Sequence, residues 1–187
     1  ARRHVGRHGG APRRGPAVTP AGSRGEVGVR ITRERVHGSL YTDDAVFEQE
    51  LQRIFHDGWS FVGHRSEVPE PGDWVTRQIG LDPVLLVRDR DGEVRVLANR
   101  CSHRGVQLCN TAAGHGGSFS CMFHGWTYSL AGELKGVPQP IGQCAETDAL
   151  ALDRPGAVAT HRGFVFANPS GTAGPLADHL GPGGIEL

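Results

Sequence analysis

Two short stretches of this 187-residue chain hold residue types that bind metals: Cys101-Ser102-His103-Arg104-Gly105 and Cys121-Met122-Phe123-His124-Gly125-Trp126. Each offers one thiolate and one imidazole, and seventeen residues separate His103 from Cys121. In C-x-H an extended backbone points residues i and i+2 to the same side, and in C-x-x-H a tight turn does so for i and i+3. Side by side, the two stretches make a four-ligand cage. Closing a loop of roughly 15 to 20 residues costs about 3 kcal/mol, whereas a structural zinc contributes about 10–16 kcal/mol, so metal binding dominates the balance.

Two Cys and two His suit zinc as well as an iron–sulfur cluster of mixed ligation. Gly105 and Gly125 close behind the histidines let backbone N–H groups approach closely, which a sulfide-bearing cluster needs and a bare zinc ion does not. A zinc finger would instead space its two His as H-x3–5-H on one helix, a pattern absent here. With iron, Cys101 and Cys121 can hold one atom and His103 and His124 the other. Exchanging two thiolates for neutral imidazoles removes negative charge and raises the potential into a window of about −150 to +300 mV. Such a centre accepts electrons readily from a ferredoxin.

The elements that must position these loops follow from the rest of the chain. Gly 28, Pro 12, 6% aromatic residues and a mean hydropathy of −0.34 describe a loop-rich, mainly β protein and exclude long helical bundles and coiled coils. The length allows one domain and an appendage. The net charge of +0 conceals an asymmetry, because residues 1–35 carry nine Arg and two Glu. Seven Gly and three Pro in that segment would cost a helix on the order of 16 kcal/mol against alanine, which predicts a disordered tail over 1–35. A basic arm for nucleic acid and a transit peptide are the other readings of it. No stretch of about 18 apolar residues occurs and no apolar run follows the first arginines, so neither a membrane span nor a signal peptide is expected, and the chain is expected in the cytoplasm. The four Cys then read as thiols or ligands rather than disulfides.

From Thr42 the pattern becomes structured. Thr42 or Asp43 can cap a helix with Asp43 and Asp44 in its first turn and an apolar stripe of Phe47, Leu51, Ile54 and Phe55, which Gly58 stops. Strands are predicted at 59–63, 74–79, 84–87 and 94–98, the last two joined through Asp89-Arg90-Asp91-Gly92, and again at 118–121, 126–129, 134–137 and 163–167. This punctuation predicts stacked antiparallel sheets or a small barrel.

Together, Cys101–Gly105 and Cys121–Trp126 resemble the Rieske [2Fe–2S] motif, in the C-x-H-R-G … C-x-x-H-G-W form of ring-hydroxylating oxygenase α subunits. The likeness covers about 36–187, through the helix at 41–55, Trp59–His64, Pro71-Gly72-Asp73, Asn99-Arg100, Leu108-Cys109, Ala131–Leu134, Gly163–Asn168 and Pro175-Leu176. It implies a Rieske-type antiparallel β domain over 36–175, with 176–187 opening the linker to a catalytic domain outside the chain. It also implies Cys101, His103, Cys121 and His124 as cluster ligands, a ferredoxin or reductase as electron donor, other oxygenase subunits as partners, and no membrane or nucleic-acid partner. Phe123 stands where Tyr is common and His115 where Asn is common. Cytochrome-complex Rieske proteins are less similar: their loops carry an extra disulfide-forming Cys each, where this chain has Val106 and Met122, and Trp126 replaces their Ser. Losing those hydrogen bonds implies the lower end of the potential window.

Oxygenases of this family do their O2 chemistry at a mononuclear non-haem Fe(II) held as D/E-x2-H-x4-H. That spacing is absent, since only His161 and His179 follow His124. The chain is therefore expected to deliver electrons within an aromatic-ring-hydroxylating dioxygenase and not to oxygenate alone. A free-standing Rieske carrier and a zinc-binding nucleic-acid module are the alternatives. Among other residues, His64 is read as a hydrogen-bonded structural histidine, Cys109 and Cys144 as inert thiols, His115 as a turn residue, and His161-Arg162 as a surface pair. Trp126 is read as core packing, as a cluster shield or as a surface that stacks against a partner, and Arg104 as partner to an acidic group that a neighbouring subunit could supply.

Overall fold

The structure, a computed structural model, describes residues 31–138 and 150–185, and the chain divides into two units, Ala1–Val46 and Phe47–Leu187. In the first unit Ile31 and Val36 form an isolated antiparallel bridge, over a turn in which the Thr32 N–H donates to the Arg35 carbonyl (2.8 Å). Of the expected tail, only Ile31–Arg35 falls among the described residues. Helix α1 (Asp44–Glu50) begins where Asp43 Oδ1 accepts the Ala45 N–H (3.0 Å), with Asp44 in its first turn. This is the capping expected of an Asp ahead of an apolar-periodic run.

In the second unit the helix widens into π-helical turns over Leu51–His56, and the Asp57 N–H donates to the Gln52 carbonyl (2.8 Å). A π-turn breaks the 3.6-residue period on which the apolar stripe depended. Phe47, Ile54 and Phe55 consequently remain exposed, contrary to a core-facing helix, although Leu51 and Phe55 flank the bare backbone of Gly80. Gly58 does end the segment, because a Cβ there would lie 2.5 Å from the Ile54 carbonyl oxygen.

Among the described residues ten strands follow: β1 (Ser60–His64), β2 (Asp73–Ile79), β3 (Asp82–Arg88), β4 (Val94–Ala98), β5 (Ala113–His115), β6 (Phe119–Ser120), β7 (Thr127–Tyr128), β8 (Leu134–Gly136), β9 (Ala157–His161) and β10 (Phe164–Asn168). Among the described residues they form three antiparallel sheets, ordered β1-β10-β9, β4-β3-β2-β5 and β6-β7-β8, and none closes into a barrel. The stacked-sheet form of the expectation is the one realised. Strands β5 and β9 had no prediction, since Ala113-Gly114-His115 and Ala157–His161 lack the alternating apolar pattern that marks a half-buried strand.

Strand β3 explains the layering. Its run Val84-Leu85-Leu86-Val87 is buried without alternation, as expected of a strand covered on both faces. Leu85 and Val87 join a core with Cys101, Phe119, Cys121, Trp126 and Tyr128. Val84 and Leu86 join another with Val62, Val75, Val165 and Ala167. The central sheet thus separates a core backed by β1 and β10 from a core that contains both loop cysteines.

Two buried asparagines tie loops to this frame. Asn168 Nδ2 donates to the carbonyls of His56 (3.2 Å) and Gly58 (2.7 Å), while its Oδ1 accepts the Ala173 N–H (3.1 Å). Asn99 Oδ1 accepts the Leu108 and Cys109 N–H groups (3.2 and 2.9 Å), and its Nδ2 donates to the Cys109 carbonyl (2.8 Å). Helix α2 (Leu176–Leu180) and the 3-10 segment Gly181–Ile185 follow β10, and His161 Nε2 donates to the Gly184 carbonyl (2.6 Å). No helix among the described residues is long and apolar enough to cross a membrane.

The β3–β4 turn hangs on one buried carboxylate. Asp89 Oδ1 accepts the Asp91 and Glu93 N–H groups (both 2.9 Å) and Oδ2 pairs with Arg95. Burial alone would raise the Asp89 pKa, but the Arg95 guanidinium and the two amides outweigh it and hold the carboxyl below its ordinary value. A lowered folded-state pKa means its stabilisation is complete above the unfolded-state value of about 3.9 and is lost as pH falls through the folded value. Asp89→Ala is expected to lower stability at neutral pH by about 2–3 kcal/mol and to flatten the acid limb, measured by denaturant unfolding between about pH 2 and 7. Equal stability at neutral pH would contradict this role.

Candidate metal centre

The two loops are one turn used twice. In the first, the Gly105 N–H donates to the Cys101 carbonyl (2.7 Å) and the Cys101 N–H to the Val106 carbonyl (2.8 Å). In the second, the Gly125 N–H donates to the Cys121 carbonyl (2.9 Å) and the Cys121 N–H to the Trp126 carbonyl (2.8 Å). The last turn residue has φ +72° at Gly105 and +69° at Gly125, left-handed values that suit glycine. This corrects the expectation of an extended C-x-H segment. Both loops curl back on their cysteine, and the histidines differ only in standing third in one turn and fourth in the other.

That offset makes the side chains converge. Cys101 and Cys121 are both buried, and the rings of His103 and His124 lie with centroids 4.8 Å apart at 74°. Among the described residues no three His, Cys, Asp or Glu side chains are placed to share one metal ion. The donors are two thiols beneath and two imidazoles at the rim, a set whose chemistry fits a binuclear cluster. Burial, followed by the neighbouring His124 and Arg104, holds the His103 pKa below its usual value and favours the neutral imidazole that ligates metals.

Two aromatic side chains complete the surroundings. Tyr128, fully buried on β7, accepts the Ser102 N–H on its hydroxyl oxygen (3.1 Å) and stands 3.2 Å from Cys101 Sγ. With Cys101 as a thiolate, the phenol proton is the one that bridges this contact. Burial and the nearby Cys101 push the phenol's pKa well above its ordinary value, so it remains a donor. Trp126 is buried and stacks on His103, with centroids 4.9 Å apart and rings within 8° of parallel. Ser102 Oγ donates to the Ala151 carbonyl (2.7 Å), tying the first loop to the chain beyond the second. Sequence reasoning missed Tyr128, and it gave Asn99 a place in the likeness but no role. The available signals were a tyrosine four residues after His124 and an asparagine two before Cys101.

The remaining candidates sort clearly. His64 is structural: its Nδ1 bonds Ser66 Oγ (2.7 Å) and its N–H donates to Glu67 Oε1 (2.7 Å). His115 is not in a turn but in β5, paired with β2, where Nδ1 bonds Asp73 Oδ1 (2.8 Å). Burial pushes the Cys109 thiol up to about 11, as expected of an inert cysteine. Cys144 lies outside the described residues. Arg162 takes φ +48° in the β9–β10 turn. Arg104 is exposed beside His103, as are Met122 and Phe123 beside His124.

Comparison with known proteins agrees with this geometry. Residues 58–147 match the Rieske [2Fe–2S] domain family. The α subunit of biphenyl 2,3-dioxygenase from Rhodococcus jostii (strain RHA1) is 40% identical over 150 residues, covering 79% of this chain and 32% of that one. The chain spans about a third of the length of the curated relatives it matches. Among solved structures, naphthalene 1,2-dioxygenase from Rhodococcus sp. superposes with TM-score 0.75 at 35% identity over 87% of this chain and 37% of that one. A quaternary ammonium Rieske monooxygenase superposes with TM-score 0.72 at 29% identity over 80% of this chain and 42% of that one. The curled Cys–His turns lie inside the matched region, and the chain, which carries a Rieske [2Fe–2S] domain over residues 58–147, belongs with the α subunits of the ring-hydroxylating dioxygenases.

Proposed function

We propose that this chain receives electrons for an aromatic-ring-hydroxylating dioxygenase, with Cys101 and Cys121 ligating one iron of the cluster and His103 and His124 the other. The observation that carries this reading is the pair of like turns that set two buried thiols against two adjoining imidazoles at the rim. A single four-coordinate zinc needs all four donors about one point, whereas among the described residues no three of them are placed to share one ion.

When bound, the cluster supplies reversible one-electron transfer. The chain's own residues set its conditions. Buried Cys101 and Cys121 keep the thiolates from water, and the Tyr128 hydroxyl donates toward Cys101 Sγ. Exposed His124 and half-buried His103 present the route by which a partner exchanges electrons. That partner is a ferredoxin or reductase carrying NAD(P)H-derived electrons. The acceptor is a mononuclear Fe(II) held by residues outside this chain, where O2 and an arene react in an oligomeric, cytoplasmic oxygenase. The relatives named for biphenyl and benzene support the arene reading. The superposable quaternary ammonium enzyme implies that substrate choice resides outside the Rieske fold.

Cys101→Ala or Cys121→Ala is expected to abolish the cluster, taking iron and sulfide from about two each per chain to near zero and bleaching the visible spectrum. A folded variant with unaltered absorption would overturn the assignment. Tyr128→Phe removes a donor from a sulfur that grows more negative on reduction. Its midpoint potential is expected about 20–60 mV below the parent's, the one-electron equivalent of a single hydrogen bond. Potentiometric titration checks this, and an unchanged or raised value would contradict it.

A further inference from the structure

We infer that Trp126 is a positioning residue for His103, an indole supplied by the second loop that fixes the plane of the imidazole supplied by the first. The inference rests on the ligand assignment just proposed. Trp126 serves its own loop through the backbone, accepting the Cys121 N–H on its carbonyl (2.8 Å). Its side chain does something else. The indole is 3% exposed and anchored in the core with Phe119, Cys121, Tyr128 and Leu130, so it has little freedom of its own. From that fixed position it lies against the His103 ring at 4.9 Å and 8°, while the His124 ring meets His103 at 74°.

Among the described residues no parallel ring lies against the other histidine. Beside His124 stands Phe123, tilted at 67° with centroids 5.9 Å apart and 66% exposed. The two imidazoles, alike in chemistry, are therefore held unequally: one against a buried parallel ring, the other beside an exposed, tilted surface ring. A parallel indole blocks rotation of the imidazole about its Cβ–Cγ bond and keeps water from one face. It also turns the electron-rich face of the ring toward His103. Excluding water and presenting π density both disfavour added negative charge at a centre that His103 ligates, so both lower its potential. A tryptophan acting only as core volume would have none of these effects, since an aliphatic replacement would then leave the imidazole unaltered.

The test uses the 187-residue chain purified anaerobically, as parent, Trp126→Leu, Trp126→Phe and Phe123→Leu. Each is read for iron and sulfide content, midpoint potential near neutral pH, and imidazole nitrogen couplings by pulsed electron paramagnetic resonance after reduction. Trp126→Leu is expected to raise the potential and to shift or broaden the couplings of one imidazole, leaving the other sharp. Trp126→Phe, which keeps a ring, should do so less, and Phe123→Leu should leave the affected imidazole alone. If Trp126→Leu does not fold, Trp126→Phe carries the test, and an unaltered potential with unaltered couplings in it overturns the inference. Parent-like values in both Trp126 variants overturn it while the ligand assignment stands. A parent that holds no cluster with two imidazole nitrogens overturns the ligand assignment, and the positioning role with it.

Discussion

Each Cys–His turn closes only because its last residue can take a left-handed backbone. A side chain with a Cβ resists that conformation by about 1–2 kcal/mol, and without it the glycine amide could not return to the cysteine carbonyl. From the two closed turns the rest follows. Cys101 and Cys121 are driven inward beside Tyr128 and Trp126, and the histidines are carried to the rim. A turn of this kind has no core of its own, so its position is set from below by the central sheet. Strand β3 is buried on both faces, which gives the molecule a load of apolar packing remote from the cysteines and a second core that contains them.

Repetition of the turn and displacement of the histidine by one place within it are equally important. Identical turns with identical histidine positions would present equivalent side chains. Here His103 occupies the position that Phe123 holds in the other loop, and His124 the position held by Arg104. The displacement brings two imidazoles together and leaves an arginine and a phenylalanine, one cationic and one apolar, flanking them at the surface. The same displacement lets an indole from the second loop lie parallel to the imidazole of the first. The site is consequently built across the loops, and neither loop contains it alone.

Much of this was legible in the residues, for identifiable reasons. The cysteines and histidines announced themselves by type and spacing, and most strands by their apolar alternation or by the unbroken run of β3. The expected Asp89–Gly92 turn was visible as a polar interruption with a glycine. What escaped depended on contacts remote in sequence. Strand β5 is made a strand by pairing with β2, with Gly114 opposite Trp74, and its His115 is bonded to Asp73 forty-two positions earlier. The Tyr128 hydroxyl and the Asn99 amide were ordinary side chains until the fold set them against a sulfur and a loop. The stripe on the first helix misled because π-helical turns over Leu51–His56 change the period by which it was judged.

On the proposed assignment, four side chains in two curled loops hold two irons rather than one metal ion. Iron and sulfide analysis of the anaerobically purified chain, with an electron paramagnetic resonance spectrum after dithionite reduction, decides between the two. About two irons and two sulfides per chain, and a low average g value from mixed imidazole and thiolate ligation, are the predicted result. Zinc in place of iron, with no signal on reduction, would contradict it.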